Sequence, residues 1–235
     1  MATEAEFKAL DKPIWHSLTT RHARFGQGDG LARRFEPGIG PLAGMTEQSA
    51  EAYRALGDLL SPGEAAALFL DSTPEPPAGW RTVRHEPLDQ MICETAPEAR
   101  DGEFRFQELG ASDVPEMLEL TALTEPGPFR PRTYDLGGFQ GIHEARRLAA
   151  MAGQRLALPG FTEVSAVCTH PDFRGRGYAL ALVAAVAGVI HGRGETPILH
   201  VFPTNTAAIR VYEAAGFKLR RKLHLAVVSR PSREP

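Results

Sequence analysis

Two cysteines, Cys93 and Cys168, are the only thiols in 235 residues, and they lack any metal-ligand spacing, so neither a disulfide framework nor a zinc site has support. No Gly-Lys dipeptide occurs in the chain, which excludes the phosphate loop of nucleotide-hydrolysing proteins. No apolar run is long enough to cross a membrane, and the opening MATEAEFKALDK is too charged for a signal peptide; a soluble cytoplasmic protein without a membrane partner is expected. Net charge is small as well, −3. Residues 1 to 100 carry 10 Lys or Arg against 15 Asp or Glu, and residues 101 to 235 carry 16 against 14. The second half is relatively basic, but too mildly for a nucleic-acid partner. What the chain has is 43% hydrophobic residues, enough to bury a core as one large or two small domains.

The most informative stretch is FTEVSAVCTHPDFRGRGYA, Phe161 to Ala179. Alternation along Phe161, Glu163, Ser165, Val167 and Thr169 predicts a strand, and Pro171 ends it. From Gly177 the spacing of Leu182, Val183, Val186, Val189 and Ile190 predicts a buried helix, stopped by Gly192 and Gly194. A helix start leaves four backbone N–H groups unpaired and carries about half a positive charge, so an anion docks there favourably. Gly175 and Gly177 let the backbone approach phosphate oxygens, while Arg174 and Arg176 add charged contacts. A diphosphate is the natural guest; the plainer alternative is an ordinary strand-to-helix turn. A dinucleotide fingerprint fits poorly, because Leu180 stands where a small residue is needed.

Elsewhere, strands are expected at 104–109, 138–143, 148–156 and 198–202, with a helix over 114–123 behind an Asp113/Glu116 capping pair. In the first hundred residues a helix over 47–60, a strand at 66–70, a loop over 72–79 and strands at 80–85 and 90–94 suggest a small α/β lobe. By simple alternation Cys168 falls on the strand face opposite Glu163, as a small buried hydrophobe. His143, His170, His200 and His224 are scattered and read as non-catalytic.

Arg174-Gly175-Arg176-Gly177-Tyr178-Ala179 resembles the [Q/R]-x-x-G-x-[G/A] pyrophosphate loop of the GNAT superfamily of acyl-CoA-dependent N-acyltransferases. The run Asn205 to Phe217 matches the family's second motif, N-x-x-A-x-x-x-Y-x-x-x-G-F, with Ala208 in the alanine place. The resemblance covers about Glu103 to Val228 and looks most like bacterial acetyltransferases related to the glycine N-acyltransferase branch. It implies an α/β (α+β) GNAT fold, with a mixed, largely antiparallel central sheet flanked by helices. The catalytic domain would span 103–235, behind a lobe at 1–102 that relatives carry as a degenerate acyltransferase-like half.

The same resemblance implies acetyl-CoA as cosubstrate, no metal, and a primary amine of a small molecule or amino acid as acceptor. Monomer and homodimer remain open, as do a non-catalytic acyl-CoA sensor and a protein N-terminal or lysine acetyltransferase. The loop residues would hold the diphosphate, and the backbone of Val167, Cys168 and Thr169 would pair with the pantetheine arm. Asn205 would cap the next helix, touch the pantetheine, or both. Tyr212 takes the family's general-acid place, its phenol near ~10 able to protonate a thiolate near ~8.5. With Gly216 at C′, Tyr212 falls at C3 and Phe217 at C″, so the two rings can also simply pack. Glu163 takes the place of a strand carboxylate that serves as general base; alternatively it is paired with a residue such as Arg155.

Overall fold

A computed structural model describes residues 4–97 and 104–230, so the expected boundary between residues 102 and 103 lies outside the described residues. The chain forms two compact units, one of residues 1–89, 156–159 and 221–235, the other of 90–155 and 160–220.

The first unit begins with helices α1 (Glu4–Ala9) and α2 (Pro13–Thr19) and a small antiparallel sheet of β1 (Gly26–Gln27), β2 (Ala32–Phe35) and β3 (Ala43–Met45). No pattern in the sequence announces these elements. A Cβ on Gly44 would stand 2.5 Å from the Trp15 nitrogen, so glycine is what lets β3 approach α2 this closely. Helix α3 is Ala50–Asp58, shorter at both ends than the expected 47–60. It starts where the Ser49 hydroxyl accepts the Ala52 N–H at 3.2 Å, satisfying one orphan donor. Its Ala52, Tyr53 and Leu56 pack with Met45, Leu68, Ala226 and Val228. Strand β4 (Ala65–Leu70) pairs antiparallel with the C-terminal part of β11 (Lys218–Ser229), from His224 opposite Leu70 to Ser229 opposite Ala65. The two strands expected at 80–85 and 90–94 are one, β5 (Arg81–Ile92); Pro87 does not break it.

The second unit contains β6 (Gln107–Glu108), α4 (Val114–Thr124), β7 (Gln140–Glu144), β8 (Arg147–Leu158), β9 (Phe161–Thr169), α5 (Tyr178–Gly192), β10 (Thr196–Val201) and α6 (Thr206–Ala214). Its strands lie in the order β5–β10–β9–β8–β7–β6. The sheet is mixed: β10 runs parallel to β9, whereas β7 is antiparallel to β8 and β6. The strand expected over 104–109 shrinks to two residues. Asp113 does not cap α4; its carboxylate accepts the Gly110 N–H at 2.8 Å instead.

Helix α5 is apolar almost all round because it is buried, with Leu182, Val183, Val186, Ala187 and Ile190 packed among Met91, Val164, Leu199 and Val201. Each large side chain so buried contributes about 1.5–3 kcal/mol. Gly192 lies inside the last turn and Gly194, at φ +74°, is the residue that ends the helix. Its N–H bonds the His191 carbonyl at 2.8 Å and the next N–H bonds Ile190 at 3.3 Å, a Schellman pattern.

Candidate active site

Strand β9 positions the site by two irregularities. Its parallel pairing with β10 runs over three residue pairs, Phe161 with Thr196 to Glu163 with Ile198, although both strands continue. Further along, Ala166 adopts φ +51°, a left-handed conformation that an L-residue avoids. The consequence is visible in the packing. Val164 and Val167 join the α5 cluster, while Ala166 and Cys168 join the cluster of Met117 and Leu120 from α4. Val164 and Ala166 would share a face in a regular strand, so Ala166 acts as a bulge and reverses the alternation. Cys168 therefore shares the face of Glu163, contrary to the expectation from simple alternation. It is a small buried group, as expected, and burial pushes its thiol up to about 12 against the contacts with Thr124 and Met151 that lower it.

Beyond Thr169 the chain makes a 3-10 turn over Pro171–Phe173 and enters the glycine loop. Gly175 and Gly177 both adopt positive φ, +78° and +81°. Among the described residues, chain neighbours aside, no atom stands within 4 Å of where a Cβ on Gly175 would be, and at Gly177 only the Phe104 ring does so. Gly177 is the N-cap of α5 and offers no side chain to its first N–H groups. The open, Cβ-free approach to these donors fits a diphosphate. Arg176 lies over the Phe173 ring at 5.1 Å. The Tyr178 hydroxyl donates to Glu144 at 2.6 Å, and Ala179 completes the first turn. The Thr169 hydroxyl is buried without a hydrogen-bond partner among the described residues, at the end of the strand that leads into this loop.

Helix α6 is held at both ends as its sequence predicts. The Asn205 carboxamide oxygen accepts the Ala208 N–H at 3.1 Å. At the other end the Phe217 N–H bonds the Tyr212 carbonyl at 3.0 Å and the Gly216 N–H bonds Glu213 at 3.0 Å. With Gly216 at φ +89° this is the expected Schellman motif. The Tyr212 and Phe217 rings meet edge-on, centroids 6.4 Å apart. Burial, then the neighbouring Cys168 and Glu163, push the Tyr212 phenol up to about 12, and Arg155 opposes them. Tyr212, Glu163, Arg155 and Cys168 thus share one electrostatic environment.

Glu163 is 1% exposed and is paired. Arg155 donates Nη2 to its Oε1 at 2.6 Å and Nε to its Oε2 at 2.9 Å. His200 Nδ1 lies 2.7 Å from Oε1. Burial alone would raise this carboxyl, but the Arg155 charge, with the hydrogen bonds from Arg155 and His200, overrides it and holds it well below the usual carboxylate range. His200 in turn contacts Gln90 at 3.0 Å, whose oxygen accepts from Arg220 Nη1 at 2.7 Å. Of these partners only Arg155 is suggested by the sequence; residues 37 and 110 positions apart carry no local pattern that links them. Beside Arg155, a recess is walled by Pro126, Gly127, Pro128 and Phe129, with Ser165 and Ala166 opposite. No group of three or more His, Cys, Asp or Glu among the described residues is placed to hold a metal ion. No helix among them is long and apolar enough to cross a membrane.

Residues 139–225 match the model of the FR47-like protein family. A solved structure of a GNAT-family acetyltransferase from Novosphingobium aromaticivorans DSM 12444 is 38% identical, with 94% of this chain and 98% of that one covered and a TM-score of 0.87. A GCN5-related N-acetyltransferase from Kribbella flavida shares the fold at 15% identity, 96% coverage of both chains and TM-score 0.63. A GCN5-related N-acetyltransferase-like protein from Streptococcus suis does so at 14% identity, 96% and 98% coverage and TM-score 0.60. Among curated proteins nothing matches at a significant level.

Proposed function

We propose that this chain, which belongs to the GNAT family of acetyltransferases, transfers an acetyl group from acetyl-CoA to the primary amine of a small molecule or amino acid in the cytoplasm. The observation that carries the reading is that Tyr212 of α6 and Arg155 of β8 share one environment with Glu163 and Cys168 of β9, the strand that leads into the open glycine loop at the start of α5. Arg174, Gly175, Arg176, Gly177, Tyr178 and Ala179 would hold the diphosphate. The backbone of Val167, Cys168 and Thr169 and the side chain of Asn205 would hold the pantetheine arm. The thioester is the acetyl donor. The neutral amine nitrogen attacks its carbonyl carbon, the carbon–sulfur bond breaks, Tyr212 gives the departing sulfur its proton, and the proton lost by the nitrogen as the amide forms restores the phenol, directly or through water. A phenol held at about 12 stays protonated at neutral pH. Because a free thiolate near ~8.5 is the weaker base, the proton passes to sulfur as the carbon–sulfur bond breaks, and the phenol is reprotonated by the proton that the attacking nitrogen releases.

Glu163 is better suited to holding the amine than to deprotonating it. Protonating a carboxylate held well below the usual carboxylate range by Arg155 is strongly unfavourable at pH 7. An α-amine near ~7.8 loses its own proton for only about 1 kcal/mol, and a lysine-like amine near ~10.4 for about 4.6. A site without a strong base favours the first kind, so amino acids and other amines of low pKa fit better than lysine side chains.

The test is release of free thiol from acetyl-CoA against a panel of amino acids, polyamines, aminoglycosides and peptides, with product masses checked. Acceptor-dependent release with mono-acetylated product supports the reading. Tight CoA binding without turnover on any acceptor would favour an acyl-CoA sensor instead.

A further inference from the structure

The pairing around Glu163 has a direction. Arg220 has only donors, so the Gln90 atom 2.7 Å from it is the carboxamide oxygen. The other end of the same amide, its NH₂, then faces His200 Nε2 at 3.0 Å. A nitrogen that meets an NH₂ at this distance must be the acceptor, so Nε2 is bare and the imidazole proton sits on Nδ1. That proton points at Glu163 Oε1, 2.7 Å away. Arg155 supplies two more donors from the opposite side. Five strands take part in this one-way chain: Arg220 on β11, Gln90 on β5, His200 on β10 and Glu163 on β9, with Arg155 closing it from β8. Gln90 is fully buried, and the His200 and Glu163 side chains are each 1% exposed. In such surroundings a misdirected donor is costly, because each buried group left unpaired forfeits its hydration without a replacement bond.

We propose that His200 is a positioning residue of the acetyl-transfer site, locked as the neutral Nδ1–H tautomer by Arg220 through Gln90, and that it fixes Glu163 as an ionised hydrogen-bond acceptor for the incoming amine. The amine-orienting part of this inference rests on the proposed acetyl transfer; the tautomer lock does not. The chain also explains why a histidine is used there. An aliphatic side chain would leave Oε1 without one of its donors, and a lysine or arginine would bring a second full charge beside Arg155. Only a group that donates on one edge and accepts on the other can pass the polarity set by Arg220 on to Glu163.

Two measurements test it. In ¹⁵N-labelled wild type, heteronuclear NMR near pH 7 should show His200 with one protonated and one bare ring nitrogen, the protonated one being Nδ1. Arg220→Met, which releases the Gln90 amide, should weaken that lock and give a mixture of tautomers. A neutral Nε2–H form or a charged ring in wild type would overturn the lock, whatever the enzyme acetylates. In steady-state assays with an accepted amine, His200→Leu should lower kcat/KM for the amine by about 10²-fold, the loss expected from a misplaced reacting group. Affinity for CoA should stay unchanged. His200→Asn, whose amide can still donate to Glu163, should recover most of the loss. Equal rates in wild type and His200→Leu, with acetyl transfer itself intact, would overturn the positioning role. Absence of transfer in wild type would instead sink the proposed function and leave the NMR result standing.

Discussion

Arg155 and Glu163 form a two-pronged ion pair, Nη2 to Oε1 at 2.6 Å and Nε to Oε2 at 2.9 Å, with the carboxylate almost wholly buried. Two parallel bonds fix the plane of the carboxylate as well as its distance. The arrangement keeps Glu163 an anion at neutral pH beside Tyr212, and the properties of the site follow from that.

The first consequence is an acid-labile contribution to stability. The folded-state value of Glu163, about 2, lies below its ordinary 4.5, so its stabilisation is fully present above pH 4.5 and is lost as pH falls toward 2. The size is about 3 kcal/mol. Urea denaturation of wild type and Glu163→Gln should therefore show a stability gap at pH 7 that narrows steadily below pH 4.5. A gap that is independent of pH would mean the ion pair is not what stabilises this carboxylate. Arg155→Met should cost about 3–5 kcal/mol at pH 7, because it strands a buried charge.

Tyr212→Phe keeps the ring that meets Phe217 edge-on and removes only the hydroxyl. Turnover should fall by roughly 10²-fold or more, while CoA affinity and melting temperature stay close to wild type. Undiminished turnover when the chemical step is rate-limiting would leave Tyr212 with its packing role alone.

Gly177→Asp should remove CoA binding without unfolding the chain. Among the described residues a Cβ there meets only the Phe104 ring, at an ordinary 3.6 Å, so the variant has room; its cost is the positive φ, about 1–2 kcal/mol. The added carboxylate faces whatever anion the helix start receives. At an effective dielectric near 20, one such repulsion at close range is worth up to about 4 kcal/mol, so calorimetry with CoA should show at least a ~10²-fold loss. Unchanged affinity in the folded variant would move the diphosphate site elsewhere.

Much of the second unit is legible in its sequence because the determining contacts are local. The bounds of β9, the start of α5 at Gly177 and the cap of α6 by Asn205 all depend on residues within four or five positions of each other. So does the Schellman end at Gly216, where the five-residue spacing of Tyr212 and Phe217 by itself implies that their rings meet. The features that the sequence conceals have the opposite character. Glu163 with His200, Gln90 with Arg220 and the extended β5 depend on strands brought together from distant parts of the chain. The small β1–β2–β3 sheet has strands of two to four residues, too short for alternation to register. Ala166 is a separate case. A left-handed residue is usually announced by glycine or asparagine, and alanine gives no such notice, so simple alternation puts Cys168 on the wrong face.

That bulge supplies the last prediction. Ala166 at φ +51° bears a left-handed cost of about 1–2 kcal/mol, while glycine there removes the cost but loses about 0.5–1 kcal/mol of backbone entropy on folding. Ala166→Gly should accordingly lie within about 1 kcal/mol of wild type and retain activity, because the reversal of alternation survives. Ala166→Val puts a β-branched side chain at positive φ, a genuine outlier, and should relieve the strain by straightening β9. A straightened strand would turn Cys168 away from the α4 side chains that bury it. In a Cys93→Ala background the buried thiol, held at about 12, should react slowly with an aromatic disulfide reagent in wild type and Ala166→Gly, and much faster in Ala166→Val. Equal thiol reactivity in all three would show that the strand keeps its bulge regardless of residue 166, and that the packing of Cys168 against Met117 and Leu120, not the backbone at Ala166, is what sets the face.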